Sequence, residues 1–435
     1  MTNANRIAAG ATMLLALIVC SALRAQEPDE LSVNFLAGAH PKFHTEGALV
    51  KTKMAASTTA GTPLVTNAAT SGIPGIDSIP NFNGSFNAPG YDPFGNPNTH
   101  WLYNMAGASP ESGKTTVLNA PVIPVSLDLR DANGNPRYVN GHRLFSDATQ
   151  FVRPVLDSPV FQNAWYSSSE TPTQITDAVQ RAEFGDEAED NWHTLLHPSV
   201  KRPRVMTLLA GTYRFALNAD GTCCAYVLID IGTFQNELFP PVYPVDNSTV
   251  IGAAELAGDM TTKDVTTLLF PNAYLYFNGD PNQCCVLGFH SVDFEPGIPA
   301  NGNVQRFYVM NYSSWISPGI FGGGFEDVTA LSHEMAETFN DPFVSFDGVH
   351  NITPWWLSPS GDCQDNLEVG DVIEGLPNAT YPITMHGYTY HPQNEALLPW
   401  FEFKSPSNAL HHAYSYPDGT VLTALSPLEK AGCAP

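Results

Sequence analysis

The residues best suited to chemistry lie in one short segment, TALSHEMAETFNDPF, from Thr329 to Phe343. It contains His333, Glu334 and Glu337 in the order His-Glu-x-x-Glu, so it begins like a zinc-peptidase helix but has a glutamate in place of the second histidine. Residues four apart on a helix project from the same side, so His333 and Glu337 could bind one metal ion. Glu334 would then act as the general base that takes a proton from water.

A helix must position these side chains, and the sequence predicts one over residues 326–340. Asp341 precedes a proline, which disfavours the helical conformation and predicts the helix end. The same sequence also fits an ordinary amphipathic helix that matches the motif by chance, in which His333, Glu334 and Glu337 lie on a solvated face. Apolar residues at helical spacing predict the buried face: Val328, Leu331, Met335 and Phe339.

A zinc site with His333 and Glu337 needs one more protein ligand and an open position for water. Glu368 is the first candidate, because its long side chain can reach in from a loop. Asp371 is the second, with a turn cap as its alternative role. Asp341 lies about 12 Å along the axis from His333 in a continuous helix, too far to share an ion unless the chain turns back. Zn²⁺ is the predicted metal, and Ca²⁺ or Mn²⁺ stays open because two carboxylates make a hard donor set.

The segments HEMAETFNDP, LEVGDVIEG and YTYHPQNEALLPWF together resemble the phosphate-induced/EXORDIUM-like family of secreted proteins of plants and their bacterial relatives. The resemblance extends over about residues 121–416. It implies a metallopeptidase-like site, without proving peptidase activity. Val372 and Ile373 depart from the family, which has Leu-Cys there. The family pattern matches His333, Glu334, Glu337, Asp341, Glu368 and Asp371.

The remaining histidines have weaker signals. His290 follows an apolar, strand-like run in NQCCVLGFHSVDF, so a core histidine bonded to a backbone carbonyl is expected. The same segment is also similar to a Cys-Gly-(Tyr/Trp)-His segment of the family. His411 and His412 could donate a hydrogen bond near the site, and His386 and His391 are equally ambiguous. No Gly-x-Ser-x-Gly or phosphate-binding loop occurs, which disfavours serine hydrolases and nucleotide chemistry.

Apolar runs of strand length alternate with loops, and TQITDAVQRAEF has helical spacing. They predict an α+β fold, with a mixed sheet, the metal-site helix packed against it, many loops and disulfides. The predicted domain covers residues 115–435. It follows a segment rich in Gly, Pro and Asn over residues 26–114, which could be a linker or a propeptide.

Residues 1–25 have the apolar run of a secretory signal peptide, too short to favour a spanning helix, so the chain is expected to be secreted or periplasmic without stable membrane insertion. The net charge of −24 disfavours nucleic acid as a partner. Beyond Cys20, six cysteines could form three disulfides. The adjacent pairs, Cys223 with Cys224 and Cys284 with Cys285, are expected to bond to other partners, because joining neighbours strains the peptide.

Two functions follow from these patterns. The first is a secreted zinc-dependent hydrolase of the metallopeptidase kind, which cleaves extracellular peptides with Glu334 as its base. The alternative is a non-catalytic protein that binds cell-wall or matrix polymers and has a structural metal site. A catalytic ion keeps an exchangeable water, whereas a structural ion is closed by protein ligands.

Overall fold

The computed structural model describes residues 27–425, apart from 38, 40–75, 92–95, 169, 242, 298, 300–301, 348–349, 351 and 362. The expected signal peptide, residues 1–25, lies outside the described residues, as do Cys20 and Cys433. Within the described part, no helix has the length and apolar character needed to cross a membrane.

The chain folds into 22 strands and six α-helices over these residues. The strands are β1 Ile76–Asp77, β2 Asn81–Tyr91, β3 Pro97–Ala106, β4 Thr115–Arg130, β5 Tyr138–Val139, β6 His142–Arg143, β7 Phe145–Ser146, β8 His193–Val200, β9 Arg204–Leu209, β10 Tyr213–Leu217, β11 Cys223–Asp230, β12 Val265–Pro271, β13 Ala273–Tyr276, β14 Cys284–Val286, β15 Gly288–Glu295, β16 Gln305–Trp315, β17 Ile352–Leu357, β18 Cys363–Asn366, β19 Ile383–Met385, β20 Tyr388–Tyr390, β21 Glu395–Ala396 and β22 Ser415–Tyr416. The helices are α1 Val152–Leu156, α2 Ile175–Phe184, α3 Ile231–Leu238, α4 Val250–Leu256, α5 Thr329–Asn340 and α6 Leu398–Phe401.

A mixed eight-stranded sheet forms the centre of the molecule, which confirms the predicted α+β class. Its order is β1–β16–β12–β4–β7, with β15 beside β16, and β8 and β9 beside β4. Strands β16, β12 and β4 pair in parallel, while β15 runs antiparallel to β16. Every residue of β12 is buried, as expected for a parallel strand covered on both faces. Val122, Leu268 and Val309 carry the larger apolar core across these three strands.

A second sheet, ordered β10–β11–β13–β14, contains both adjacent cysteine pairs. The sulfur atoms of Cys223 and Cys224 lie against each other, and so do those of Cys284 and Cys285. The structure thus brings each adjacent pair together, where the sequence led us to expect other partners. Each pair is linked by a cis peptide bond, and its Cα atoms are only 3.0 and 3.1 Å apart, so the two side chains can meet. Cys363 is also disulfide-bonded.

Helix α5 contains the His-Glu-x-x-Glu segment and packs against β15 and β16 of the central sheet, with β3 and α2 as further neighbours. It begins at Thr329, three residues later than predicted, and ends before Asp341 as predicted. All twelve of its residues are buried. The apolar stripe that predicted the helix, at Val328, Leu331, Met335 and Phe339, lies in the larger core.

Part of the segment expected to precede the domain is built into the fold. Strand β1 pairs in parallel with β16, and the hairpin β2–β3 packs against α5 and β17. Farther upstream, the Leu31 amide donates to the carbonyl of Phe215 in β10.

Candidate metal centre

Helix α5 presents its three polar side chains to the protein interior. His333 and Glu334 have no exposed surface and Glu337 has 1%, so they do not form the solvated face of a chance amphipathic run. Burying an ionisable group costs several kcal/mol unless charges or hydrogen bonds compensate. This helix therefore faces a polar interior site.

His333 lies in a group of three possible metal donors. Its Nε2 is 3.1 Å from Glu337 Oε2 and 3.4 Å from Asp371 Oδ1. The three donor atoms all lie within 4.8 Å of one another. Asp371, the second candidate from the sequence, is thus the third member of the donor group beside His333, while Glu368 lies in another group.

The loop before Asp371 fixes the orientation of Glu337. The backbone amides of Gly370 and Asp371 donate to Glu337 Oε1 over 3.0 and 3.2 Å, which leaves Oε2 directed at His333. A Cβ on Gly370 would collide with the His333 imidazole, so only glycine at this position leaves room for the ring. Gln393 connects the loop to α5, because its side-chain Nε2 donates to the Gly370 carbonyl and its backbone amide donates to Ser332 Oγ.

Strand β15 supplies a second imidazole, that of His290, to the same carboxylates. His290 Nδ1 is 3.5 Å from Glu337 Oε2, 3.7 Å from Glu334 Oε2 and 4.0 Å from Glu368 Oε2. This corrects the expectation of a core histidine bonded to a carbonyl. Residues two apart on a strand share a face, and a Cβ on Gly288 would collide with the Glu334 carboxylate. Gly288 therefore leaves room for Glu334, while His290 reaches the carboxylates.

Asp341 and Glu368 form a further donor group with His290, again with all donor atoms within 4.8 Å. The sequence placed Asp341 too far from His333 to share its ion, and the structure likewise puts it in a different group. Asp341 follows the helix with φ −141° and ψ 66°, so the chain turns there instead of carrying the carboxylate further along the axis. The sequence included this residue through the family resemblance and, if the chain turned back after the helix, as a possible ligand.

The carboxylates of the cluster attract the positive charge of a protonated His333. Burial lowers the pKa of His333, but Glu337, Asp371 and Glu334 outweigh burial and hold that pKa well above its ordinary value. Burial raises the pKa of Glu337, yet His333 lowers it overall. The carboxylates thus create a negative field at the imidazoles that would also stabilise a metal cation.

Glu395 in β21 is a residue that sequence reasoning missed. Its side chain is fully buried, and neither carboxylate oxygen has a hydrogen-bond partner among the described residues. Burial raises its pKa well above the ordinary value, while His333 acts in the opposite direction. Glu395 falls within the segment YTYHPQNEALLPWF of the family resemblance, which was the only signal for it.

Another group of possible donors lies just before α5. His391 Nδ1 is 2.8 Å from Asp327 Oδ2 and 3.2 Å from Glu326 Oε1, and its amide donates to Asp327 Oδ1. These contacts hold the chain around His391 to the start of the helix. The structure places His386, His411 and His412 in none of the donor groups formed by the described residues.

Around α5 the chain therefore brings together two imidazoles and five carboxylates that could hold a metal ion. They belong to His290, His333, Glu334, Glu337, Asp341, Glu368 and Asp371. Gly288 and Gly370 leave the space that Glu334 and His333 occupy. Nitrogen and carboxylate oxygen donors suit zinc and manganese, and calcium prefers oxygen alone. Comparison of the chain with protein-family models, with curated proteins and with solved structures found no match.

Proposed function

We propose that the chain is a secreted zinc-dependent hydrolase of the metallopeptidase kind, acting on extracellular peptides, and a relative of the EXORDIUM-like family. The position of Glu334 carries this proposal. Its carboxylate lies in the donor cluster, 3.7 Å from His290 Nδ1; it belongs to a possible donor group with His290 and Glu337, but not to the group of His333, Glu337 and Asp371. A hydrolase of this kind needs a base beside the ligands that is not required as a ligand itself.

His333, Glu337 and Asp371 would hold the zinc ion. When bound, zinc supplies a Lewis acid that polarises a carbonyl and favours ionisation of water. Glu334 then takes the proton of the attacking water and passes it to the leaving amine. Gly288 keeps the space that this carboxylate occupies. Secretion rests on the signal-like residues 1–25.

Burial favours a second candidate function. The donor residues are at most 4% exposed, so a peptide reaches Glu334 only when covering elements move apart. An ion closed in this way also suits a non-catalytic protein that binds cell-wall or matrix polymers, in which the metal holds loops around α5.

Elemental analysis and a peptide-library cleavage assay on the same samples separate the two functions. The wild type is compared with His333→Ala and Glu334→Gln, with the exposed His142→Ala as the control for loss of a histidine. For the hydrolase we expect zinc in the wild type, less zinc in His333→Ala, and full zinc in Glu334→Gln. Cleavage should fall by about 10²–10⁴-fold in Glu334→Gln and be unchanged in His142→Ala.

Zinc without cleavage in the wild type would favour the binding protein with a structural metal. A wild type that binds no metal would contradict both functions.

A further inference from the structure

We propose that the cluster around α5 holds two metal ions side by side, rather than the single ion of the proposed hydrolase. This inference rests on the metal-binding part of the proposed function and deepens it. The first ion would lie with His333, Glu337 and Asp371, and the second with His290, Asp341 and Glu368.

Two of the three possible donor groups around α5 are separate from each other, and the third, His290 with Glu334 and Glu337, connects them. The group of His333, Glu337 and Asp371 and the group of His290, Asp341 and Glu368 have no residue in common, and each has its donor atoms within 4.8 Å of one another. Each set offers one imidazole and two carboxylates. Three protein ligands with one open position are what a catalytic zinc site requires, so each set suffices for an ion.

Glu337 lies between the two sets. Its Oε1 is held by the amides of Gly370 and Asp371, while Oε2 is 3.1 Å from His333 Nε2 and 3.5 Å from His290 Nδ1. One carboxylate oxygen therefore faces both imidazoles. Paired metal ions in hydrolases lie about 3.5–4 Å apart. If each imidazole bound one ion, the Glu337 carboxylate would be placed to contact both ions.

The charge of the cluster agrees with a second ion. Five buried carboxylates surround the two imidazoles: Glu334, Glu337, Asp341, Glu368 and Asp371. One divalent ion brings two positive charges, and a second ion doubles that compensation. Buried anions are costly unless they are compensated, so the number of carboxylates is compatible with a second ion.

The path of the chain supplies the second set. Asp341 would project away from the site if α5 continued, but the helix ends before it, and the Asp341 amide still donates to the carbonyl of Glu337. The turn leaves Asp341 beside His290 of β15 and Glu368 of the loop. The second set thus depends on the helix end at Asp341.

The group of Glu326, Asp327 and His391 is a weaker position for a second ion. Both oxygens of Asp327 already accept hydrogen bonds, Oδ1 from the amides of Val328 and His391 and Oδ2 from the His391 ring. An ion there would have to displace contacts that hold the start of α5. It serves as the comparison site for the test.

The test uses the full chain, stripped with a chelator and reloaded with zinc by equilibrium dialysis. Elemental analysis should give two zinc ions per chain for the wild type and one for Asp341→Asn and Glu368→Gln. His391→Ala, the control at the comparison site, should keep two. Circular dichroism verifies that each variant is folded. Manganese-loaded wild type, which requires no variant, should show the low-temperature EPR signal of a spin-coupled pair.

One zinc ion per chain in the wild type, with an uncoupled manganese signal, would overturn the proposal. So would two ions of which one is lost only in His391→Ala. These readouts do not depend on cleavage. Two ions without peptide cleavage would leave the two-ion site standing and remove the hydrolase, and one ion with cleavage would do the reverse.

Discussion

Single glycines decide how closely loops and strands approach the polar face of α5. Gly370 lies against the His333 ring, and Gly288 lies against the Glu334 carboxylate. At both positions the missing Cβ leaves space that a functional side chain fills. The positions of His333 and Glu334 therefore depend on the absence of a side chain at the two glycines.

Gly370→Ala should weaken metal binding. The new Cβ would collide with the His333 imidazole and displace the amide that orients Glu337. Loss of such supporting contacts typically lowers metal affinity by about 10- to 100-fold. Competition with a chromophoric chelator measures the affinity.

Gly322→Ala is the matched control, since nothing lies within 4 Å of a Cβ there and the position is exposed. Equal affinity in the two alanine variants would show that the close approach at Gly370 has no role in metal binding.

The sequence predicted the donors that are close along the chain. The helical repeat alone placed His333 and Glu337 together, and the structure has them 3.1 Å apart. It ranked Glu368 ahead of Asp371 on side-chain length alone, because the path of the loop that holds both depends on the Gly370 contacts, which the sequence does not show. His290 comes from a strand more than forty residues earlier, so only the tertiary fold reveals its role.

At the scale of elements, α5 is fixed at both of its ends. Asp327 joins its start to the chain at His391, and Asn340 in its last turn donates to Glu183 Oε1 of α2 over 3.0 Å. Local periodicity predicted the helix and its end at Asp341. It could not show that the polar face is buried too, because that depends on β15 and the loop at Gly370.

The contact between α2 and α5 should make stability depend on pH. Burial raises the pKa of Glu183 well above its ordinary 4.5, although bonds from Asn340 and the Leu398 amide lower it. The fold thus favours the protonated acid. Its contribution to stability is complete below the ordinary pKa and is lost as pH rises through the folded-state pKa.

Glu183→Gln keeps an acceptor for Asn340 and removes this titration. We expect the variant to gain in unfolding free energy relative to wild type as pH increases, measured by denaturant unfolding at several pH values. Glu111→Gln, at an exposed position, is the control and should follow the wild type. A constant difference between Glu183→Gln and wild type across pH would contradict the prediction.

At the scale of the whole molecule, strands β1–β3 belong to the folded body. The hairpin buries large apolar side chains, each worth about 1.5–3 kcal/mol on burial. They are Phe82, Phe86, Trp101, Tyr103 and Met105. Alternation of apolar residues was hidden in this segment by its Gly, Pro and Asn content, so the sequence suggested a linker or propeptide instead.

We expect the mature protein to retain residues 76–114, even if a shorter propeptide is removed upstream of them. Intact-mass measurement and N-terminal sequencing of the secreted protein would locate its first residue. A variant that lacks residues 1–107 provides the comparison, and it should fail to fold because β1 and the hairpin are missing. A folded, active protein that begins beyond residue 107 would show that these strands are dispensable.

The donor cluster is deeply buried, which would limit when a metal ion could enter it. Side chains with almost no exposed surface can exchange an ion only as fast as the elements around them open. Metal binding at such a site would be coupled to folding, with the ion captured while the chain closes around it. The metal found in the protein would then depend on the ions available in the compartment where it folds, rather than on those it meets afterwards.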